Sequence, residues 1–389
     1  MKKVAFITGS LSRGGTQLSL VQLINNIEGD YDISILLEKK ESSLFPSINK
    51  KVRITYLTDI GKGITPRTFI KSALNNKNII NVVRGLIIYT RFLLNKNTIM
   101  LHNFFLSNYS TLDEEFDIAI AYAGGLRNTT LFTLDKIRAK KKVMWVHEDF
   151  TTLSNEEKKL GKTIFKKFDK IFCVSEGSKI RFLELYPELL NKVEVFYSIF
   201  DSKDWIEKAE AKTNIDFINS EEINLLTVGR LADEKGQDLI PEVVSMLRDE
   251  GYSFKWYIIG DGYKKKWLVN EMKKRKIEDH LILLGDKENP YPFYKQCDIY
   301  VQTSRKEGYC ISMAEALTFD KPIVATNFLT AKEFITHEND GLIADINSQS
   351  IFENVKRLMD DKELINKIKK NVKKKSIDTK SEIIKFYNL

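Results

Sequence analysis

The chain has 389 residues, 43% of them hydrophobic, and carries a formal net charge of +8, which is enough apolar material for two ordinary cores and hence two domains. Its three cysteines, Cys173, Cys297 and Cys310, are odd in number and unpatterned, which argues against a disulfide framework and for a reducing compartment. The apolar opening MKKVAFIT is broken by Ser10, Ser12 and Arg13 before it reaches the length of a signal peptide, and no run approaches the roughly 20 apolar residues of a membrane span, so a cytoplasmic protein is expected.

Strand-like apolar runs alternate with helical patterns throughout. The first half offers Val4 to Thr8, Ile33 to Leu37, Val52 to Leu57, Phe116 to Tyr122, Val143 to His147 and Lys170 to Val174. The second offers Ile223 to Val228, Phe254 to Ile259, Leu281 to Leu284, Asp298 to Val301, Pro322 to Thr326 and Gly341 to Ala344. Such alternation predicts parallel sheets covered by helices. Asp201 to Ser220 is polar and lacks a strand signal, which places a boundary near 200: one domain over 1–200, a second over 201–375.

Glycines Gly14 and Gly15 follow the first strand and open a helix. A P-loop would end in Gly-Lys-Ser/Thr and a dinucleotide fingerprint would add a third glycine three residues on; neither is present. The pair is either a tight turn or a close approach to phosphate. Between Asp59 and Asp113 there is no acidic residue, while Lys62, Arg67, Lys71, Lys77, Arg84, Arg91 and Lys96 punctuate apolar stretches. This segment, 60–112, reads as a basic amphipathic surface for an anionic membrane or as an ordinary helical pair with a solvated face. The strand ending at Val146 delivers His147 to its carboxyl end; His102, His280 and His337 have no comparable setting. Asp30-Tyr31-Asp32 begins a strand and reads as surface, and no cluster has metal-ligand spacing.

The second half holds the chemistry-bearing clusters. In INLLTVGRLADEKGQDLI, Arg230 follows a strand and Lys235-Gly236 opens the next helix. In SRKEGYCISMAEALTFDKPIVAT, Glu307 and Gly308 lie in the loop after a strand, and Glu315 lies eight residues on within the next helical pattern. Carboxyl edges of parallel strands and helix N-termini are where anionic ligands bind, and cations there suit a pyrophosphate that leaves with developing charge. Taken singly, each cluster also reads as solvated surface.

Together these segments resemble glycosyltransferase family 4, retaining sugar-nucleotide transferases of the GT-B fold, and the likeness spans nearly the whole chain. The resemblance implies an α/β architecture of two Rossmann-like domains with parallel sheets facing a central cleft, the final helix, within 376–389, crossing back to the first. It implies that Arg230 and Lys235 hold the donor diphosphate, Glu315 the ribose, Glu307 and His147 the donor sugar, and that Gly308, Gly14 and Gly15 bring backbone N–H groups close to the diphosphate. The implied reaction moves a hexose or N-acetylhexosamine, without metal or other cofactor, from a nucleotide diphosphate sugar, UDP-linked by family habit. The acceptor would be a sugar or lipid-linked oligosaccharide in capsule, O-antigen or similar assembly, with the enzyme cytoplasmic or, on the membrane reading of 60–112, peripheral on the inner face of the plasma membrane. No nucleic-acid recognition motif is present, and nucleic acid is not expected as a partner. A noncatalytic sugar-nucleotide-binding partner and a sugar-nucleotide epimerase of related fold are the alternatives. Four departures bear on loop geometry: Cys310 and Asp320 where glycine is usual, Ser198 for a common asparagine, and FLTAKEF without the glycine pair before Glu333.

Overall fold

The computed structural model describes residues 1–12, 14–40, 43–48, 50–57, 74, 79–95, 106, 109–147, 150, 153–212, 222–375 and 377–389. It divides into two compact units, Met1–Ile199 with Lys380–Leu389, and Phe200–Thr379.

The first unit is built on β1 (Lys2–Thr8), β2 (Tyr31–Leu37), β3 (Arg53–Tyr56), β4 (Glu115–Ala121), β5 (Arg138–Val146), β6 (Lys170–Cys173) and β7 (Val193–Val195), in the order β3-β2-β1-β4-β5-β6-β7. Every pairing is parallel, with Val4 opposite Ile33 on one side and Ile118 on the other. Central strands of such a sheet are covered on both faces, which is why Val4 to Ile7 form one unbroken apolar run, all fully buried, rather than an alternating one. The chain runs outward from β1 to β3 and then crosses to β4, so the order reverses between β1 and β4, and ligand crevices open at such a reversal. The crossover contains the helix Ile79–Asn95; the remainder of the basic segment, His102 included, lies largely outside the described residues. An aromatic cluster of Phe150, Phe165, Phe182 and Tyr186 packs in this core, with Phe150 edge-on to Phe182 at 5.4 Å and Phe165 edge-on to Tyr186 at 5.2 Å. A short helix, Ile383–Tyr387, closes this unit: buried Phe386 lies 6.3 Å from Phe6 and 5.6 Å from Tyr31, and Lys385 Nζ donates to Val195 O.

The second unit carries β8 (Ile223–Val228), β9 (Phe254–Ile259), β10 (Leu281–Gly285), β11 (Ile299–Gln302), β12 (Ile323–Thr326) and β13 (Leu342–Ala344), ordered β10-β9-β8-β11-β12-β13 and again parallel. Its reversal falls between β8 and β11. Buried Trp256 donates through Nε1 to Thr227 Oγ1, and Thr227 donates to Val301 O, so these two polar side chains inside the core are paired.

Two elements were not among the sequence expectations. The strand β7 was not expected, because three residues at a sheet edge leave too short a run to register. The polar stretch from Asp201 also contains structure: the helix Ser202–Lys208 is capped by Asp201, whose carboxylate accepts from Lys203 N, and it docks through Trp205. Trp205 is fully buried between Phe200 and Tyr291, with ring centroids 4.8 and 5.8 Å away. Deleting so large a buried aromatic costs about 3–5 kcal/mol, which makes this helix part of the second core rather than a linker. The departures Cys310 and Asp320 share one geometry: their φ angles are 69° and 55°. The backbone keeps the left-handed turn that glycine adopts freely, at about 1–2 kcal/mol for a residue with a Cβ.

Candidate active site

At the β8/β11 reversal, the loop after β8 carries Arg230, a turn over Asp233–Lys235 presents Lys235, and the loop after β11 carries Glu307. These meet. Lys235 Nζ donates to both Glu307 oxygens, at 2.7 and 2.8 Å, with the two side chains 22% and 8% exposed. Burial opposes the ammonium, yet the Glu307 carboxylate holds the Lys235 pKa above its ordinary value. Glu307 is fixed from beneath as well: Ser304 Oγ donates to its Oε1 at 2.6 Å and Gln302 Nε2 at 3.3 Å, while Tyr300 and Ser312 hydroxyls donate to Gln302 Oε1.

The approach of the two loops depends on Gly236. Its φ is +66°, and a Cβ there would lie 2.0 Å from Thr303 O, while Thr303 Oγ1 donates to Lys235 O. Arg230 stands outside this contact, on the surface, ion-paired to Glu234 at 2.5 Å. The helix Ile311–Thr318 begins just past Gly308 with no side-chain cap and no acid in its first turn, so its N–H groups offer a positive end to an anion.

Glu315 lies on that helix but faces elsewhere. It is 5% exposed, accepts from Tyr294 OH at 2.8 Å and from Tyr291, and burial pushes its carboxyl up to about 7. A carboxyl whose folded pKa exceeds its unfolded value stabilises the fold below the unfolded value, and that contribution is lost as pH rises through about 7. Glu315→Gln is therefore expected to flatten the fall in thermal stability of the second unit between about pH 5 and about pH 8. Parallel pH profiles for parent and variant would contradict this assignment.

In the first unit, Gly14 is the residue before the helix Gly15–Asn26. Its φ of −178° is extended backbone open to any residue, so no turn demands glycine here; a Cβ would instead lie 2.7 Å from Gln17 Oε1, and the helix N-terminus has no side-chain cap. Further along that helix, Ser19 Oγ lies 2.8 Å from Tyr122 OH, and the Tyr122 ring lies 4.8 Å from the ring of His147. The helix after β1, the end of β4 and the end of β5 thus converge on His147. Burial, with help from the Arg127 guanidinium, pushes its imidazole down to about 3, so the ring is neutral. The ring bonds the Tyr122 backbone, and its buried Nε2 has no partner among the described residues. Sequence reading missed Tyr122, Arg127, Gln302, Ser304, Tyr291 and Tyr294. Only Gln302 and Ser304 left a signal, as polar residues closing an apolar strand.

Residues 208–375 match the family model described as Glycosyl transferases group 1. Over the full chain, the crystal structure of Anabaena Alr3699/HepE in complex with UDP-glucose aligns with a TM-score of 0.75, at 15% identity, covering 100% of this chain and 99% of that one. The fold is GT-B. Among relatives, an N-acetylgalactosamine-N,N'-diacetylbacillosaminyl-diphospho-undecaprenol 4-alpha-N-acetylgalactosaminyltransferase of Campylobacter jejuni is 26% identical over 224 residues, 57% of this chain and 59% of the relative. The O-antigen biosynthesis glycosyltransferase WclY of Escherichia coli is 19% identical over 328 residues, 84% of this chain and 80% of the relative. The chain spans 59%, 42% and 64% of the length of three relatives that it matches, the Campylobacter jejuni protein and two uncharacterized glycosyltransferases, of Methanocaldococcus jannaschii and Haemophilus influenzae. The family match covers less than half of the chain, within 208–375, and the relatives that the chain resembles include surface-polysaccharide glycosyltransferases.

Proposed function

We propose that this protein transfers a hexosyl or N-acetylhexosaminyl group from a UDP-sugar to a hydroxyl of a lipid-linked acceptor in surface-polysaccharide assembly, with retention at the anomeric carbon. The reading is carried by the Lys235–Glu307 pair: an ammonium and a carboxylate, both mostly buried, joined at the strand-order reversal of a parallel sheet. The relatives' names supply the donor and acceptor classes.

In the proposed reaction the bond from the anomeric carbon to the diphosphate breaks as the acceptor oxygen forms its bond on the same face, and a donor phosphate oxygen takes the acceptor's proton. Lys235, Arg230 and the N-terminus of the Ile311–Thr318 helix meet the charge that gathers on the leaving diphosphate. Glu307 orients the sugar hydroxyls, and neutral His147 offers its unpartnered Nε2 to another. Glu315, held by Tyr291 and Tyr294, receives the ribose, and the backbone N–H groups at Gly308 and at the Gly14–Gly15 helix N-terminus are assigned to the diphosphate. Paired-carboxylate double displacement would need a free nucleophile and a separate acid; Glu307 is tied to Lys235 and Glu315 is buried against tyrosines.

The test is a thermal-shift panel of UDP, GDP and their sugar conjugates, with and without chelator, followed by NMR of the anomeric product. Stabilisation by UDP and its sugars, unchanged by chelator, with an axial product from an axial donor, is expected. Stabilisation by UDP-sugars without turnover or donor hydrolysis would support the noncatalytic partner, and no stabilisation by any nucleotide would end the reading.

A further inference from the structure

We propose that Gln302 is a positioning residue for Glu307: it holds one oxygen of that carboxylate so that the other, Oε2, takes a hydroxyl of the donor sugar. Contact between Glu307 and the sugar belongs to the proposed function, on which this role of Gln302 rests. Gln302 ends the apolar strand β11 and is 2% exposed. A side-chain amide has two lone pairs on its oxygen and two N–H donors on its nitrogen, and here all four are engaged. Its Oε1 accepts from the Tyr300 hydroxyl at 2.5 Å and from Ser312 Oγ at 3.0 Å, and its Nε2 donates to Ser304 Oγ at 2.7 Å and to Glu307 Oε1 at 3.3 Å.

The amide can point only one way. Burial raises the Tyr300 pKa well above its usual value, so that hydroxyl keeps the proton it donates. The Glu307 carboxylate, on the other side, only accepts. Turning the amide over would set its oxygen against that carboxylate and its N–H groups against the hydroxyls that now donate to it. Glu307 is consequently bound unevenly. Its Oε1 accepts from Lys235 Nζ at 2.7 Å, from Ser304 Oγ at 2.6 Å and from Gln302, whereas among the described residues only Lys235 Nζ, at 2.8 Å, donates to Oε2. A carboxylate oxygen has room for two donors, so the open acceptor position lies on Oε2, and a sugar hydroxyl is a donor that fits it. A fully bonded buried amide adds little net stability over an apolar side chain of the same shape. What Gln302 contributes is direction.

Gln302→Met keeps the volume and removes both amide groups. It should lower kcat for transfer about ten- to a hundredfold, as expected for a reacting group displaced by about 1 Å, while the Kd for UDP, which carries no sugar, stays within about threefold of the parent value. Parental kcat would overturn the proposal. So would a Kd for UDP that rises as far as kcat falls, because a general loosening of the site moves both. A second measurement needs no turnover. In a cycle of Gln302→Met, Glu307→Met and the double variant, urea denaturation of the full chain should show effects on the folding equilibrium constant that depart from additivity by about threefold or more. Independent effects would mean that Gln302 does not hold Glu307. If Gln302→Met fails to fold, Tyr300→Phe, which removes one donor to Gln302 Oε1, is read in its place by the same comparison of kcat with Kd. A parent enzyme that transfers no sugar would count against the proposed reaction, and the cycle alone then decides whether Gln302 holds Glu307.

Discussion

Replacing Lys235 by Met is expected to lower kcat/KM for transfer by about a hundred- to a thousandfold, the usual cost of removing one charge that meets a developing anion. The same change leaves the Glu307 carboxylate, 8% exposed, without its ammonium. Breaking a buried pair from one side costs about 3–5 kcal/mol, because the remaining charge is neither solvated nor paired. Urea denaturation of the second unit would measure that loss. Adding Glu307→Gln removes the stranded charge, since a glutamine oxygen still accepts from Ser304, and should return most of the stability while transfer stays low. A double variant as unstable as Lys235→Met alone would mean that the two residues do not interact as a pair. Transfer within a few fold of the parent in Lys235→Met would remove this lysine from the reaction.

Gly236→Ala is the second change with a large expected effect, and it acts on the same contact through the backbone. The new Cβ would have to occupy space 2.0 Å from Thr303 O, at a φ of +66°. Neither the carbonyl nor the turn can move without parting the loops that join Lys235 to Glu307, so a loss of about 3 kcal/mol or more is expected. Gly251 provides the control. Its φ is +83° but nothing lies within 4 Å of its added Cβ, so Gly251→Ala should cost only the left-handed penalty, about 1 kcal/mol. Equal losses at the two positions would show that backbone conformation, not the approach of Thr303, sets the requirement.

The framework was readable because a parallel sheet buried on both faces imposes continuous apolar runs such as VAFIT and INLLTV, and runs of that kind survive in the sequence. What escaped was short or spatial. β7 has three residues. The Ser202–Lys208 helix hides in a charged stretch because a single tryptophan anchors it. Arg230, Lys235, Glu307 and Glu315 could be singled out because each follows a strand or sits in the helix next to one, where charge is conspicuous. Their partners could not be. That Lys235 would face Glu307, while Arg230 turned to Glu234 and Glu315 to two tyrosines, depends on how loops far apart in sequence pack. The left-handed backbone at Cys310 and Asp320 was signalled only by the resemblance, which has glycine at both positions, since neither residue advertises that conformation itself.

The return of residues 380–389 to the first unit has a consequence for biosynthesis. Phe386 fills the space against Phe6 and Tyr31, and Tyr197 N donates to Glu382. On the ribosome these residues emerge only after every residue of the second unit. The half of the protein made first therefore waits, with an aromatic surface uncovered, while the half made later can already close its own sheet. A chaperone that shields nascent apolar surface would find its target on the N-terminal half, and would be released only when translation reaches the final aromatic residues.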